Sequence, residues 1–323
     1  MSTTASEDTI EWLLGGDPAI RWQTMADLVD APADEVAGER ARVEHEGWGA
    51  ELLAREDSTG LWAGGACFPA DYEWGGDEPG QPWTATMHTL QTLQLLGLDP
   101  ASQSAQNAVR LIAENGHWEH DGQAYFDGEV EPCINGRTIQ AGSYFGAVAG
   151  VDVTPIVDRV LDERLDDGGW NCEAENGSVR SSVHTTLDVL DGLLEYERAK
   201  GGNDAVREAR RSGEEYLLQR GLMRRLTTGE VISEQILDFS FPFYWRFDVL
   251  RALDYFRETG APPDPRLAEA IDLVRSKQQP DGRWLLDRTH PGRVFFDLED
   301  VGEPSRWNTL RALRILDWWN GTG

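Results

Sequence analysis

Cys133, Cys172 and His184 are the residues whose types could meet in one chemical site. Two helix starts, Val183-His184-Thr185-Thr186-Leu187 and Arg306-Trp307-Asn308-Thr309-Leu310, can be aligned. Extending that register backwards puts Cys133 near the position of His184. Cys172 follows Trp170 by two residues, in the loop between them. Two thiolates and an imidazole at one entrance form a zinc-type ligand set. Cys67 has no such register and reads as core or loop. His117 and His120, spaced i, i+3, read as surface loop. Asp248 is a candidate acid, in the first turn of the helix after Tyr244-Trp245-Arg246-Phe247. A carboxyl among aromatics titrates high and can protonate an alkene or a leaving group. The same residue also fits a helix N-terminal carboxylate favoured by the dipole, or a partner of Arg246 or Arg251. Asp297 and Glu299 are further carboxylates with no anchoring pattern. The chain has no G-x-S-x-G nucleophile turn, no P-loop and no dinucleotide fingerprint.

Repeated helices must position these groups. Four tryptophans close similar phrases: Thr59-Gly60-Leu61-Trp62, Asn115-Gly116-His117-Trp118, Asp167-Gly168-Gly169-Trp170 and Asp281-Gly282-Arg283-Trp284. Their spacings are 56, 52 and 114, the last twice 57, so one copy is missing or degenerate near Leu222–Gly229. A period near 55 residues suits a helix–loop–helix unit. Apolar stripes predict inner helices over Trp83–Leu96, Cys133–Ala149, Ser181–Tyr196, Tyr244–Phe256 and Ser305–Trp318. Leu250-Arg251-Ala252-Leu253 recurs as Leu310-Arg311-Ala312-Leu313. More charged, well-capped segments predict outer helices over Pro100–Asn115, Val153–Leu165, Asn203–Gln219 and Asp264–Gln278. An extra pair runs from Asp17-Pro18 to about Val29 and from Ala33 to Arg55. Each hairpin cannot bury its face alone, so the units must stack. The expectation is one domain over residues 1–323, with 1–8 as a tail.

Composition narrows the classes. The 323 residues carry 57 Asp and Glu against 29 Lys and Arg, a net charge of −28. Such a surface repels phosphate backbones and anionic membranes, which argues against nucleic-acid partners. All the basic residues except Lys200 and Lys277 are arginine, a bias that fits a salt-adapted or a GC-rich source. No stretch approaches the ~20 apolar residues of a membrane span. The N-terminus lacks the pattern of a signal peptide, and three cysteines make no disulfide framework, so a cytoplasmic setting with reduced thiols is expected.

Gln278-Gln279-Pro280-Asp281-Gly282-Arg283-Trp284 resembles the QW repeat of squalene and terpenoid cyclases, Q-x-x-D-G-x-W. Arg164–Trp170 is a near copy with Arg at the Gln position. The resemblance covers roughly Asp57–Trp318 and extends to protein prenyltransferase β subunits, which share the fold. The chain looks most like the short single-domain members of that superfamily. The resemblance implies an all-α, α/α toroid of about six inner and five to six outer helices. It implies that Trp83, Trp245 and Trp307 line a cavity for an apolar isoprenoid-type ligand, with cation–π stabilisation. It also implies a zinc site, because Glu131-Pro132-Cys133 resembles the prenyltransferase Asp-x-Cys and His184 falls where that family places its His. Cys172 lies outside the family pattern and would close the site; alternatively Glu131 is a loose fourth ligand and the site stays open. Departures matter. No Lys or Arg lies between Tyr125 and Cys133, so a diphosphate would be repelled there; Arg137, Arg180, Arg246, Arg251 and Arg306 could reach a cavity mouth, with Arg246 and Arg306 the candidates to meet a phosphate. The cyclase Asp-x-Asp-Asp is absent, with Asp248 its nearest substitute. The implied function is binding, and possible turnover, of an isoprenoid-type molecule. A non-catalytic toroid with structural zinc and a carbohydrate-active toroid are the alternatives.

Overall fold

Side-chain capping sets five of the α-helix starts. In the computed structural model, which describes residues 5–77, 80–118 and 122–321, the described residues form five short 3-10 helices, one two-stranded ribbon and fourteen α-helices. In chain order these are α1 (Glu7–Leu14), α2 (Pro18–Asp27), α3 (Ala33–Ala41), α4 (Gly47–Leu53), α5 (Thr86–Leu96), α6 (Gln103–Asn115), α7 (Pro132–Tyr144), α8 (Gly146–Ala149), α9 (Thr154–Asp162), α10 (Val183–Lys200), α11 (Asp204–Leu218), α12 (Val249–Glu258), α13 (Ala268–Ser276) and α14 (Arg306–Asn320). The ribbon pairs β1 (Trp284–Leu285) antiparallel with β2 (Pro304–Ser305). The protein is therefore all-α apart from this ribbon. Among the described residues no helix is long and apolar enough to cross a membrane. His120 alone of the candidate residues falls outside them.

Asp17, Asn203 and Ser305 accept hydrogen bonds from the first-turn amides of α2, α11 and α14. The expected helix over Ala33–Arg55 is instead two, α3 and α4, joined by a 3-10 turn at Arg42–Glu44. Gly47 at φ +63° makes the break, and Asp17 secures it by accepting from the Trp48 amide at 2.8 Å. Within the segment read as a tail, α1 begins at Glu7, capped by Ser6.

Helices buried on nearly every side alternate with helices buried on one face. The first kind is α5, α7, α10, α12 and α14; the second is α6, α9, α11 and α13. Three tryptophan phrases lock one kind to the other by the same pair of bonds. The indoles of Trp62, Trp170 and Trp284 each donate to the carbonyl ten residues earlier: Leu52, Val160 and Val274, at 2.6–2.7 Å. Their backbone amides donate to Thr86, Thr186 and Thr309 at 3.0–3.1 Å, one in the first turn of each following buried helix. Trp118 departs from this pattern. Its indole turns forward to the Tyr125 carbonyl at 2.8 Å, and its ring stacks on Tyr125.

The bracing threonines define a common register. Two residues after them stand His88, Asp188 and Arg311. The Leu-Arg-Ala-Leu repeat adds Arg251, and the Cys133–His184 alignment adds Arg137. These five form one buried or nearly buried polar layer. Asp188 Oδ1 accepts from Arg137 Nε and from Arg251 Nη2, each at 2.7 Å. Asp191, one turn on, accepts from the same two guanidiniums at 3.1 and 2.6 Å. α7 and α10 meet here backbone to backbone: a Cβ on Gly192 would lie 2.4 Å from the Gly136 carbonyl oxygen.

Candidate functional site

On one side of the polar layer lies a cavity of about 420 Å³. First-turn residues of α5, α7 and α10 form its wall, with Trp245 and Arg246 ahead of α12. Later turns of the same helices, with α14, line a second cavity of about 250 Å³. All three cysteines of the chain line the first cavity.

Proline chemistry places the first two ligand groups. Pro132 occupies the first position of α7 and keeps Glu131 extended before it, so that Glu131 and Cys133 face the same helix entrance. Cys133 Sγ lies 3.8 Å from Glu131 Oε2. Cys172 opens a short 3-10 turn after Asn171, whose side chain accepts from the Glu173 amide, and its sulfur sits 3.5 Å from Thr185 Oγ1. Ligand atoms of Glu131, Cys133 and Cys172 lie within 4.8 Å of one another. The hydrogen bond from the Cys133 thiol holds the Cys172 thiol below its ordinary range, and Thr185 and the Cys133 amide add to it. That same bond, together with burial, pushes Cys133 well up. Of the two thiols, Cys172 is therefore the one that ionises first. Two sulfurs and a carboxylate suit zinc, whose tetrahedral S and O ligands stand roughly 3.5–3.8 Å apart.

His184 does not complete this group as expected. It lines the same cavity, but its Nδ1 accepts from the Phe247 amide at 3.0 Å, and it is outside the three-residue cluster. Burial, then the charge of Arg246, lowers its pKa to about 4. Trp245 is on the wall as expected, with Arg246 stacked 3.9 Å above its ring. Trp83 and Trp307 are elsewhere. Trp83 stacks on Tyr244 at 4.2 Å beside a third, smaller cavity, and Trp307 stacks on Phe241 at 4.3 Å and lines the second cavity. Arg306 covers Trp12 and donates to the Trp12 carbonyl. Asp248 takes the capping role: it accepts from the Arg251 amide at 2.7 Å and from Ser240 Oγ at 2.8 Å. Burial raises it to about 6, but it lines none of these cavities. Glu299 is likewise spent, accepting from the Arg306 amide at 2.7 Å ahead of α14.

Sequence reasoning missed Cys67, His88 and Gln81. Trp245 Nε1 donates to Gln81 Oε1 at 2.9 Å, which turns the Gln81 amide nitrogen toward His88 Nε2 at 3.1 Å. This relay fixes His88 as the Nδ1–H tautomer, and burial lowers its pKa to about 4. The register two residues past the tryptophan-bracing threonine was the available signal for His88. Compared with known proteins, the chain matches no family model and no curated protein.

Proposed function

We propose that the chain is an α/α toroid of the prenyltransferase and terpenoid-cyclase type. In this reading the first cavity takes a short apolar ligand beside a zinc ion held by Glu131, Cys133 and Cys172. The observation that carries the reading is the meeting of two sulfurs and a carboxylate on the wall of a cavity that Phe68, Met87, Tyr125, Ile134 and Trp245 make apolar. Its volume falls within the ~300–1,000 Å³ typical of ligand pockets. Support for the ring comes from the shared register of five buried helices and from the three repeated tryptophan braces.

A bound zinc would supply Lewis acidity and thiol activation at neutral pH. The chain's own groups do the rest. Cys172 is the thiol that ionises more easily, and both thiols give up their protons when a metal binds them. Trp245 and Tyr125 pack the ligand's apolar body. Arg246, whose Nε has no hydrogen-bond partner, meets a single anionic or polar end. Arg137, the other arginine on this wall, is committed to Asp188 and Asp191. A diphosphate therefore lacks its counter-charges, and the ligand carries at most one negative group.

Elemental mass spectrometry on the untagged chain tests this. About one zinc per chain is expected, lost in Cys133→Ser and Cys172→Ser and retained in His184→Gln. Cobalt substitution then reports the open position: an added small thiol changes the cobalt absorption if a ligand can enter. An unchanged spectrum makes the site structural, and a folded wild type without metal removes the reading.

A further inference from the structure

We propose that the second cavity is a binding site for a small oxyanion, a phosphate or carboxylate head, held by Arg311, Arg251 and Trp307. This stands independently of the zinc reading. Three residues lining this cavity present four buried donor atoms without a hydrogen-bond acceptor: Arg311 Nε and Nη2, Arg251 Nε and Trp307 Nε1. Arg311 and Trp307 are each 2% exposed. Arg311 Nη1 is occupied, donating to the Ser240 carbonyl at 3.2 Å and to Asn308 Oδ1 at 3.4 Å. Asp254 pairs with that guanidinium only at 3.5 Å, Oδ2 to Nε, because its oxygens already accept from Arg314 at 2.6 and 3.1 Å and from Arg257 at 2.9 Å.

Buried donors left unpaired are costly and rare, so such a cluster calls for a partner with lone pairs. An oxyanion offers several on one centre, and arginine forks match that geometry. Five arginines line this cavity in a chain of net charge −28, against four lining carboxylates and Asp188 behind Arg251. One lining acceptor is unpaired as well, Gln94 Oε1. The hydroxyl of a monohydrogen phosphate would satisfy it.

Equilibrium dialysis of the full chain with labelled inorganic phosphate, at fixed ionic strength in chloride, tests the site. Wild type is expected to show saturable uptake. Trp307→Phe keeps the ring and loses the donor, and should bind about fivefold more weakly. Arg311→Gln should lose uptake while circular dichroism shows it folded; if it does not fold, Trp307→Phe carries the test. Arg306→Gln, at a side chain that packs on Trp12 and is not part of this cavity's lining, should bind as wild type does. Competition by acetate assigns the site to oxyanions in general, and failure to compete restricts it to phosphate groups. Absence of saturable phosphate uptake by wild type, or equal uptake by wild type and Trp307→Phe, overturns the proposal and leaves the donors to water.

Discussion

Asp188→Asn is the sharpest perturbation of the polar layer. Asp188 is 0% exposed, and one of its oxygens takes both Arg137 and Arg251. The amide keeps the volume but removes the charge, leaving two guanidiniums in a dry interior short of their counterion. Breaking a buried pair in this way costs about 3–5 kcal/mol. Asp191 still accepts from both arginines, so the lower end, about 3 kcal/mol, is expected. Against a typical total of about 5–15 kcal/mol, that is a large loss. Urea unfolding at fixed salt and pH 7 measures it as a fall in midpoint with an unchanged slope. Asp204→Asn, at an exposed partner of Arg207, should leave the midpoint in place. The double variant Asp188→Asn, Arg137→Gln should recover part of the loss, because one stranded charge is removed. A loss below about 1 kcal/mol for the single variant, or no recovery in the double, would refute the claim that a desolvated charge network holds α7, α10 and α12 together.

Three further outcomes follow from other features. Gly192→Ala places a methyl 2.4 Å from the Gly136 carbonyl oxygen, so α7 and α10 must separate; about 1–3 kcal/mol should be lost in thermal unfolding. His88 is held neutral by burial, with its pKa at about 4 against 6.5 when unfolded. The unfolded chain then binds the extra proton as pH falls, so stability is full above pH 6.5 and declines toward pH 4. The loss is about 3 kcal/mol, and a His88→Gln variant should lack that part of the acid limb. With a net charge of −28, self-repulsion is screened by salt, so the melting temperature should rise between low and molar sodium chloride; a flat or falling curve contradicts this.

The sequence made register along each helix legible and left lateral placement obscure. The stripes of α5, α10 and α14 fall close to where periodicity put them, because a buried helix must repeat its apolar positions, whereas Cys133–Ala149 divides into α7 and α8 and the helix expected from Tyr244 begins only at Val249. Cys133 and Cys172 meet because one opens a helix and the other follows a braced tryptophan, both fixed in register. His184 shares Cys133's register and still misses the cluster, because which backbone amide its ring meets depends on the 238–248 loop. Cys67 and Gln81 reach the cavity on the long 57–85 segment, whose path no periodicity encodes. Asp248 could be read as acid or cap. Only the nearby Arg251 amide and Ser240 decide it. The split of Ala33–Arg55 turned on a contact from Asp17, far away in sequence.

The polar layer also limits what the first cavity can accept. Arg137 lines that cavity, Arg251 lines the second, and Asp188 and Asp191 bond both. Phe243 adds an aromatic face against Arg251 at 4.6 Å and Arg311 at 5.2 Å. A long isoprenoid would need the two volumes joined, and its tail would have to pass between charges that are paired with each other. Displacing such pairs by hydrocarbon is strongly unfavourable. A ligand that ends at the layer meets no such barrier. The partition therefore favours a short apolar molecule over a polyprenyl chain. It also keeps the three cysteines on the side away from Arg251 and Arg311.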